Sequence, residues 1–208
     1  MKRNCFIAIS GNIGVGKTTW TELLVERFKL KAYYEKVIEN PYLEDFYKEM
    51  GKWSFHSQIF FLTQRFKTHL EIQSNNMACI QDRTIYEDSE IFADNLYRRG
   101  LMSKRDFDCY HDVYEAMNGI LRYPDLLIYL RASIGVLLNR IQKRGRVCEK
   151  RIDKEYLLQL NMAYDRWAKK MQQFTQVIII DTDELDIFKR NKKLQEIMQS
   201  IECLIQDD

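Results

Sequence analysis

Five short apolar segments recur along the chain, and longer amphipathic segments separate them. The apolar segments lie at 4–10, 33–38, 77–82, 125–130 and 176–181, and β-branched or aliphatic residues dominate each of them. Nearly continuous apolar character, in place of strict alternation, is typical of parallel strands that helices cover on both faces. We therefore predict five parallel β-strands.

The longer segments between these strands have helical periodicity. In 153–171 the side chains of Tyr156, Leu160 and Tyr164 share one helix face, and 186–205 has the same apolar spacing. Strands that alternate with helices predict an α/β fold of three layers, in which helices flank a parallel sheet. Ligands in such folds bind at the carboxyl ends of the strands. The residues that follow each strand are therefore the first candidates for a functional site.

A glycine-rich loop follows the first strand and precedes a helix-forming segment. Residues 11–18 read Gly-Asn-Ile-Gly-Val-Gly-Lys-Thr, which fits the P-loop pattern G-x-x-x-x-G-K-[ST] in its strand–loop–helix context. The backbone N–H groups, the helix N-terminus and Lys17 favour phosphate, and the Thr18 hydroxyl is the expected Mg²⁺ ligand. A glycine turn without a ligand is the alternative. The residues predicted to bind ATP are Gly11, Asn12, Ile13, Gly14, Val15, Gly16, Lys17, Thr18 and Thr19.

Composition narrows the classes of protein that fit. The 208 residues suit one domain, and neither a repeat nor a linker divides 1–208. Because 32 basic and 30 acidic side chains nearly balance, we expect no nucleic-acid or membrane surface. We also expect neither a membrane-spanning segment nor a signal peptide. Five scattered cysteines without a C-x-x-C pair favour a reducing, cytoplasmic setting and argue against zinc.

Charged residues lie within the second predicted strand and at the end of the third. Asp82 could hold Mg²⁺, and Arg83 could contact a transferring phosphoryl group. A surface Asp–Arg pair at a turn explains the same residues, so both interpretations stay open. Glu35 would lie across the sheet's end from the P-loop, within reach of a hydroxyl to be deprotonated. The alternative for Glu35 is a solvated surface carboxylate.

Three arginines surround a glycine at the end of a predicted helix. Arg140 and Arg144 share a helix face, Gly145 permits a sharp turn, and Arg146 follows. Beside a triphosphate site they predict an arginine-rich lid, at about 140–152, that neutralises charge during phosphoryl transfer. A solvated basic helix end is the alternative.

The helical segment after the second strand interleaves aromatic side chains with amides and a charge. One stripe of this helix consists of Ser54, Gln58, Phe61 and Arg65. Buried Gln and Arg need polar partners, which a planar ligand with donors and acceptors would supply. We expect Phe92 and Tyr86, on the next helix, to provide stacking surface. A plain aromatic core is the alternative for the other phenylalanines of this segment.

Taken together, these motifs resemble the deoxyribonucleoside kinase family, from residue 4 to about residue 181. Glu35-Lys36-Val37 corresponds to the family's catalytic E-P-V motif, and the departure at residue 36 leaves Glu39 as the alternative base. Asp82-Arg83-Thr84 corresponds to E-R-S, and the R-x-x-x-R-G-R lid is complete at 140–146. The sequence Glu39-Asn40-Pro41 is similar to that of the bacterial branch of this family. The resemblance implies a P-loop kinase fold.

The resemblance also implies the role of each site residue. The catalytic set would be Glu35 as base, with Lys17, Arg83, Arg140, Arg144 and Arg146 stabilising the phosphoryl group, and Thr18 and Asp82 near the Mg²⁺ ion. The nucleoside set would be Gln58, Arg65, Asp88, Phe92 and Trp53 around the base, Tyr47 and Glu149 at the sugar 3′-hydroxyl, and Arg83 at the 5′ end.

The activity implied is transfer of the γ-phosphate of ATP, with Mg²⁺, to the 5′-hydroxyl of a deoxyribonucleoside, in nucleotide salvage, by a homodimer. Members with the Arg65–Asp88 pair accept adenine, guanine or cytosine, so we expect deoxyadenosine first, deoxyguanosine and deoxycytidine next, and thymidine to be poor. A nucleoside monophosphate kinase of thymidylate kinase type is one rival, although Glu35 would repel its acceptor phosphate. A catalytically silent nucleotide-binding subunit is the other, although Lys17, Glu35 and the lid arginines are all present.

Overall fold

A sheet of five parallel strands occupies the centre of the computed structural model, which describes residues 4–35, 37–146, 149, 152–185, 187 and 192–206. The strands are β1 (Phe6–Gly11), β2 (Lys31–Tyr33), β3 (Cys79–Asp82), β4 (Leu126–Arg131) and β5 (Gln176–Asp181). Their spatial order is β2-β3-β1-β4-β5, and every neighbouring pair is parallel. The predicted α/β fold with a five-stranded parallel sheet is confirmed.

Helices cover both faces of this sheet. They are α1 (Lys17–Phe28), α2 (Leu43–Lys48), α3 (Met50–Ser74), α4 (Ile85–Glu87), α5 (Asp94–Arg98), α6 (Lys104–Asn118), α7 (Ile134–Arg144), α8 (Lys154–Met171) and α9 (Lys192–Gln206). A 3₁₀ turn (Val37–Glu39) precedes α2, and a π-helical stretch (Asp88–Ala93) joins α4 to α5. Among the helices described, none is long and apolar enough to cross a membrane.

Each face of the sheet has its own apolar core. On one face α3, α4, α5, α6 and α8 pack around large aromatic side chains such as Tyr110 and Tyr164. On the other face α1, α7 and α9 pack aliphatic side chains such as Leu24, Leu137 and Ile201, all with no exposed surface. Burying one such aliphatic side chain stabilises the fold by about 1.5–3 kcal/mol.

The second strand is shorter than its sequence predicts. We predicted a strand over 33–38, but β2 ends at Tyr33, which pairs with Gln81 of β3. Because β2 is an edge strand and β3 ends at Asp82, the backbone beyond Tyr33 has no sheet partner to continue the ladder. Glu35 therefore lies in the connection after the strand.

Two further predictions need correction at the opposite edge. We predicted full coverage of every strand, yet β5 exposes several side chains, including Ile179, because it is an edge strand. We also predicted a helix over 186–205. The helix is Lys192–Gln206, and Ile187 lies in a turn, whereas 186 and 188–191 fall outside the described residues.

The strand order decides where a ligand can bind. The connections from β1 lead to one side of the sheet and those from β4 to the other, so a crevice opens at the carboxyl end of β1. The P-loop begins at that point, and Asp82 lies beside it at the end of β3. The fold therefore gathers the predicted strand-end residues at a single edge.

Candidate active site

The loop between β1 and α1 has the backbone geometry of an anion site. The backbone φ angles of Gly11, Gly14 and Gly16 are 144°, 82° and 102°, values that residues other than glycine rarely adopt. A β-carbon at Gly11 would lie 2.5 Å from the carbonyl oxygen of Leu130. Gly16 is the N-cap of α1 and supplies no side-chain acceptor to the first N–H groups of the helix. Those N–H groups are therefore available to a phosphate.

Lys17 lies over this loop. Its Nζ donates to the carbonyl oxygens of Gly11 at 3.0 Å and Asn12 at 3.3 Å. Burial, together with repulsion by Arg83, lowers the pKa of Lys17 to about 8. A bound phosphate would oppose this shift, because a nearby negative charge favours the ammonium form.

The three residues that open the P-loop serve different purposes. Gly11 accepts a hydrogen bond from Lys17, as above. The Asn12 side chain donates to the carbonyl oxygen of Leu157 at 2.9 Å and to Asn161 at 2.6 Å, which ties the loop to α8. The Ile13 side chain lines a neighbouring small cavity. Residues 14–19 of the loop, by contrast, line the larger cleft that opens over it.

A cleft of about 610 Å³ opens over the P-loop. Residues 14–19 form its floor, the side chains of Glu35 and Asp82 its inner end, and the predicted lid arginines one wall. The sequence analysis did not predict Thr182, Leu185 and Ile187 as site residues. They lie in the segment after β5 and complete this wall of the cleft. No local motif marks that segment, and only the sheet order brings it to the P-loop.

Thr18 and Asp82 meet at the inner end of the cleft. The Thr18 hydroxyl donates to Oδ2 of Asp82 at 3.2 Å, and Oδ1 of Asp82 is buried without a hydrogen-bond partner among the described residues. Burial raises the pKa of Asp82. An unsatisfied buried carboxylate beside a hydroxyl suits a hard divalent cation, which binds few protein ligands when phosphates complete its shell. These two residues fit a magnesium ion.

Glu35 lies among three cationic side chains. It pairs with Arg65, and its Oε1 lies 3.6 Å from Nη1 of Arg83. Burial favours the neutral acid, but the charges of Arg83, Arg65 and Lys17 outweigh burial and hold the pKa of Glu35 well below its ordinary value. Glu35 is therefore a carboxylate at neutral pH.

A second cavity, of about 70 Å³, adjoins the inner end of the cleft. Most residues predicted for the nucleoside lie in its wall: Tyr47, Gln58, Arg65, Arg83, Asp88, Phe92 and Glu149. The π-helical stretch places Asp88 and Phe92 on the same side, one turn apart. Arg65 pairs with Asp88 and stacks over Phe61, whose ring the guanidinium approaches to 4.8 Å.

Two buried acceptors in this wall have no hydrogen-bond partner among the described residues. They are Oε1 of Gln58 and Oδ2 of Asp88. Buried acceptors without partners are rare in proteins because each one loses its hydrogen bonds to water. Because both residues line the same cavity, they suit a ligand that brings hydrogen-bond donors to it.

Two aromatic residues predicted for this pocket lie elsewhere in the structure. Trp53 does not line the cavity, and its indole stacks on Tyr42 with ring centroids 5.8 Å apart. Five residues of helix rotate Trp53 by about 140° from Gln58, so the two side chains leave α3 on different faces. Tyr86 stacks on Tyr123 within the aromatic core. The stacking surface predicted for Tyr86 is therefore wrong, and a contact of Trp53 with the base stays a prediction.

The lid arginines divide into two kinds. Arg140 donates to the carbonyl oxygens of Val15 and Thr182, which fastens α7 to the P-loop and to the end of β5. Arg144 and Arg146, both about one third exposed, pair with the buried carboxylate of Glu149. Of the predicted lid at 140–152, residues 147, 148, 150 and 151 lie outside the described part of the chain. α7 ends at Arg144, and the φ of 69° at its C-cap, Gly145, permits the expected turn.

Sequence reasoning also missed a buried carboxylate behind Arg83. Glu87 has no exposed surface and accepts hydrogen bonds from Ser10, Thr84 and Tyr164. The Thr84-x-x-Glu87 spacing is that of a helix capping box, which the structure contains. That signal predicts a helix start, but it does not predict that the carboxylate is buried beside an arginine.

Comparison with known proteins identifies the class. The family model described as deoxynucleoside kinase matches residues 7–206. A deoxyadenosine/deoxycytidine kinase of Bacillus subtilis is 36% identical over 99% of this chain and 95% of its own length. A deoxyadenosine kinase of Dictyostelium discoideum is 42% identical over 86% of this chain and 72% of its own length. Deoxyguanosine kinases are also among the relatives.

A solved structure agrees with these relatives. Deoxyadenosine kinase from M. mycoides, with bound dCTP, superimposes with a TM-score of 0.83 at 33% identity. The match covers 95% of this chain and 99% of that one. The chain therefore belongs to the deoxynucleoside kinase family, whose members are phosphotransferases, and the predicted P-loop kinase fold and family resemblance are confirmed.

Proposed function

We propose that this chain, as a single domain, transfers the γ-phosphate of ATP to the 5′-hydroxyl of a deoxyribonucleoside that bears an exocyclic amino group. One observation carries the proposal: Lys17 and Glu35 line both the P-loop cleft and the small cavity. A phosphate donor in the cleft and a nucleoside in the cavity would therefore meet at the carboxylate of Glu35.

Glu35 acts as the general base. It is held as a carboxylate by its cationic neighbours, and it accepts the proton of the 5′-hydroxyl as that oxygen attacks the γ-phosphorus. In a loose transition state the hydroxyl loses its proton late, so a base of low pKa is sufficient. Arg83, 3.6 Å from Glu35, faces the same point and stabilises the oxygens of the transferring group.

Lys17 and the lid arginines neutralise the remaining charge. Arg144 and Arg146 exchange Glu149 for phosphate oxygens when the donor binds, and Glu149, with Tyr47, then holds the sugar 3′-hydroxyl. Arg140 contributes by anchoring α7 against the P-loop. Thr18 and Asp82 would hold Mg²⁺, which supplies charge neutralisation on the donor phosphates when it is bound.

Gln58 and the Arg65–Asp88 pair select the base. The unsatisfied oxygens of Gln58 and Asp88 accept hydrogen bonds from an exocyclic amino group, and Phe92 stacks on the ring. Thymine offers a carbonyl oxygen at the equivalent position, which would leave these buried acceptors unsatisfied. We propose deoxyadenosine as the preferred substrate, followed by deoxyguanosine and deoxycytidine, because two relatives and the solved structure carry deoxyadenosine in their names.

The biological setting completes the proposal. We propose that the enzyme acts in nucleotide salvage in the cytoplasm, as a homodimer, without nucleic-acid or membrane partners. The mass of one chain is 25.1 kDa. A sedimentation mass near twice this value would support the dimer, and a sedimentation mass equal to that of one chain would exclude it.

A substrate screen tests the reaction. The purified chain, with ATP and Mg²⁺, is offered the four deoxyribonucleosides and, separately, their 5′-monophosphates. We expect deoxyadenosine to be converted to its monophosphate with the highest kcat/KM. Phosphorylation of the monophosphates alone would favour the thymidylate kinase rival, and no turnover of any acceptor would favour the catalytically silent subunit.

A further inference from the structure

Glu87 is a buried carboxylate that the proposed reaction does not use. It lies in the aromatic core behind Arg83 and has no exposed surface. Its Oε1 accepts from the Ser10 hydroxyl at 2.6 Å and from the backbone N–H of Thr84 at 3.1 Å. Its Oε2 accepts from the Tyr164 hydroxyl at 2.7 Å. Such a group persists in a protein core only where its neighbours satisfy it, as they do here.

The fourth neighbour of Glu87 is Arg83. The Nε atom of Arg83 lies 3.7 Å from Oε2 of Glu87, within the range of an ion pair. Burial lowers the pKa of Arg83, but attraction by Glu35 and Glu87 outweighs burial and holds it well above its ordinary value. Among the described residues, no acceptor lies close enough for a hydrogen bond to that Nε atom. Glu87 therefore lies at the Nε side of the guanidinium, which is the side away from Glu35.

Arg83 has an unusual backbone conformation, and two further contacts confine its side chain. Its φ of 70° is in the left-handed region, which non-glycine residues seldom adopt. The guanidinium is bounded by the carbonyl oxygen of Gly11, which accepts from Nη2 at 3.2 Å, and by the Phe92 ring, 4.5 Å away. With Glu87 on the Nε side, Nη1 is left pointing toward Glu35.

We infer that Glu87 is a positioning residue, whose buried carboxylate holds the Arg83 guanidinium toward Glu35 and the transferring phosphoryl group. The inference rests on the proposed function. The capping box accounts for the contact with Thr84 alone. Ser10 belongs to the strand that precedes the P-loop, and Tyr164 belongs to α8, so Glu87 ties Arg83 to the central sheet and to a helix that packs on it.

Glu87→Gln tests this role because it preserves the shape and the capping oxygen but removes the charge. Its amide N–H₂ would also face the Arg83 donor. We expect kcat to fall at least about tenfold, with the nucleoside KM within about twofold, since the effect falls on the transition state. The control is Ile201→Val, on the opposite face of the sheet, which lowers thermal stability without touching the site. A fall in kcat equal to that of the control at matched stability would overturn the inference.

A double-variant cycle shows whether Glu87 acts through Arg83. In an Arg83→Lys background, Glu87→Gln should change kcat by less than about threefold, because the group that it positions is gone. Equal losses in both backgrounds would show that Glu87 acts independently of Arg83. Should Glu87→Gln fail to fold, Tyr164→Phe removes one hydrogen bond to Oε2 and should give a smaller loss of kcat. That loss should also vanish in the Arg83→Lys background, and its persistence would contradict the positioning role.

A readout without turnover separates this inference from the proposed function. In ¹⁵N-arginine-labelled protein, the Nε–H signal of Arg83, assigned by its loss in Arg83→Lys, should exchange slowly with water in the wild type. It should exchange faster and shift in Glu87→Gln. An unchanged signal would refute the positioning role even in an active enzyme, whereas an inactive wild type with the expected signal change would count against the proposed function alone.

Discussion

The ionisation of Asp88 should be visible in the pH dependence of catalysis. Burial raises the pKa of this carboxyl to about 7, against the opposing attraction of Arg65. Arg83 and Glu35 also face it, and so does the buried hydroxyl of Tyr110 from α6. If Asp88 accepts a hydrogen bond from the amino group of the base, only its ionised form is productive. Below pH 7 the neutral acid predominates, so the enzyme should lose kcat/KM for deoxyadenosine as the pH falls.

The size of the effect follows from that pKa. With a pKa of about 7, roughly one tenth of Asp88 is ionised at pH 6 and roughly nine tenths at pH 8. Because kcat/KM reports the ionisations of the free enzyme, it should rise about tenfold over this interval. The assay measures kcat/KM for deoxyadenosine at saturating ATP and Mg²⁺ from pH 6 to pH 8. The matched variant is Asp88→Asn, which keeps the size of the side chain.

The comparison between the two proteins isolates Asp88 from other titrating groups. Lys17 and the rest of the site titrate in both, so dividing one profile by the other removes their contributions. We expect Asp88→Asn to have a lower kcat/KM throughout and to lack the rise near pH 7. If its profile rises as steeply as that of the wild type, Asp88 does not contact the base as a carboxylate. A flat wild-type profile would refute the argument from burial.

The remaining predictions concern catalysis, the lid and stability. Glu35→Gln should lower kcat by roughly 10²–10⁴-fold, while isothermal titration should show nearly unchanged binding of deoxyadenosine. If Glu35→Gln keeps the kcat of the wild type and Glu39→Gln loses it, Glu39 is the base. Arg144→Ala should lower kcat by about 10²-fold or more. Its Tm should stay close to that of the wild type, because the Arg144 side chain is 36% exposed and Glu149 keeps its ion pair with Arg146; full activity in the folded variant would show that the predicted lid is a solvated basic helix end. Burial lowers the pKa of His69 to about 4 in the folded chain, from about 6.5 when unfolded, so the unfolded chain binds the proton first as pH falls. Urea unfolding should therefore lose about 3 kcal/mol between pH 7 and pH 4 relative to His69→Gln, and equal pH dependence in the two proteins would contradict a neutral buried imidazole.

Local patterns in the sequence determined the fold class and the centre of the site. The apolar segments predicted five parallel strands because a covered strand needs apolar side chains on both faces, and the glycines of the P-loop predicted positive φ values. The R-x-x-x-R-G-R text predicted a helix that ends before Gly145. Each of these depends on residues within one element or one turn.

The tertiary structure decided features that depend on contacts between distant segments. β2 is an edge strand of the described sheet, and it stops at Tyr33 because its neighbour β3 ends only one residue beyond the partner of Tyr33. Trp53 does not line the cavity, because the packing of α3 fixes which face of that helix lies against the site. Glu87 is joined to Ser10 and to Tyr164, each 77 residues away along the chain. No spacing within the sequence encodes such contacts, because they arise only when the sheet and both helical layers have packed.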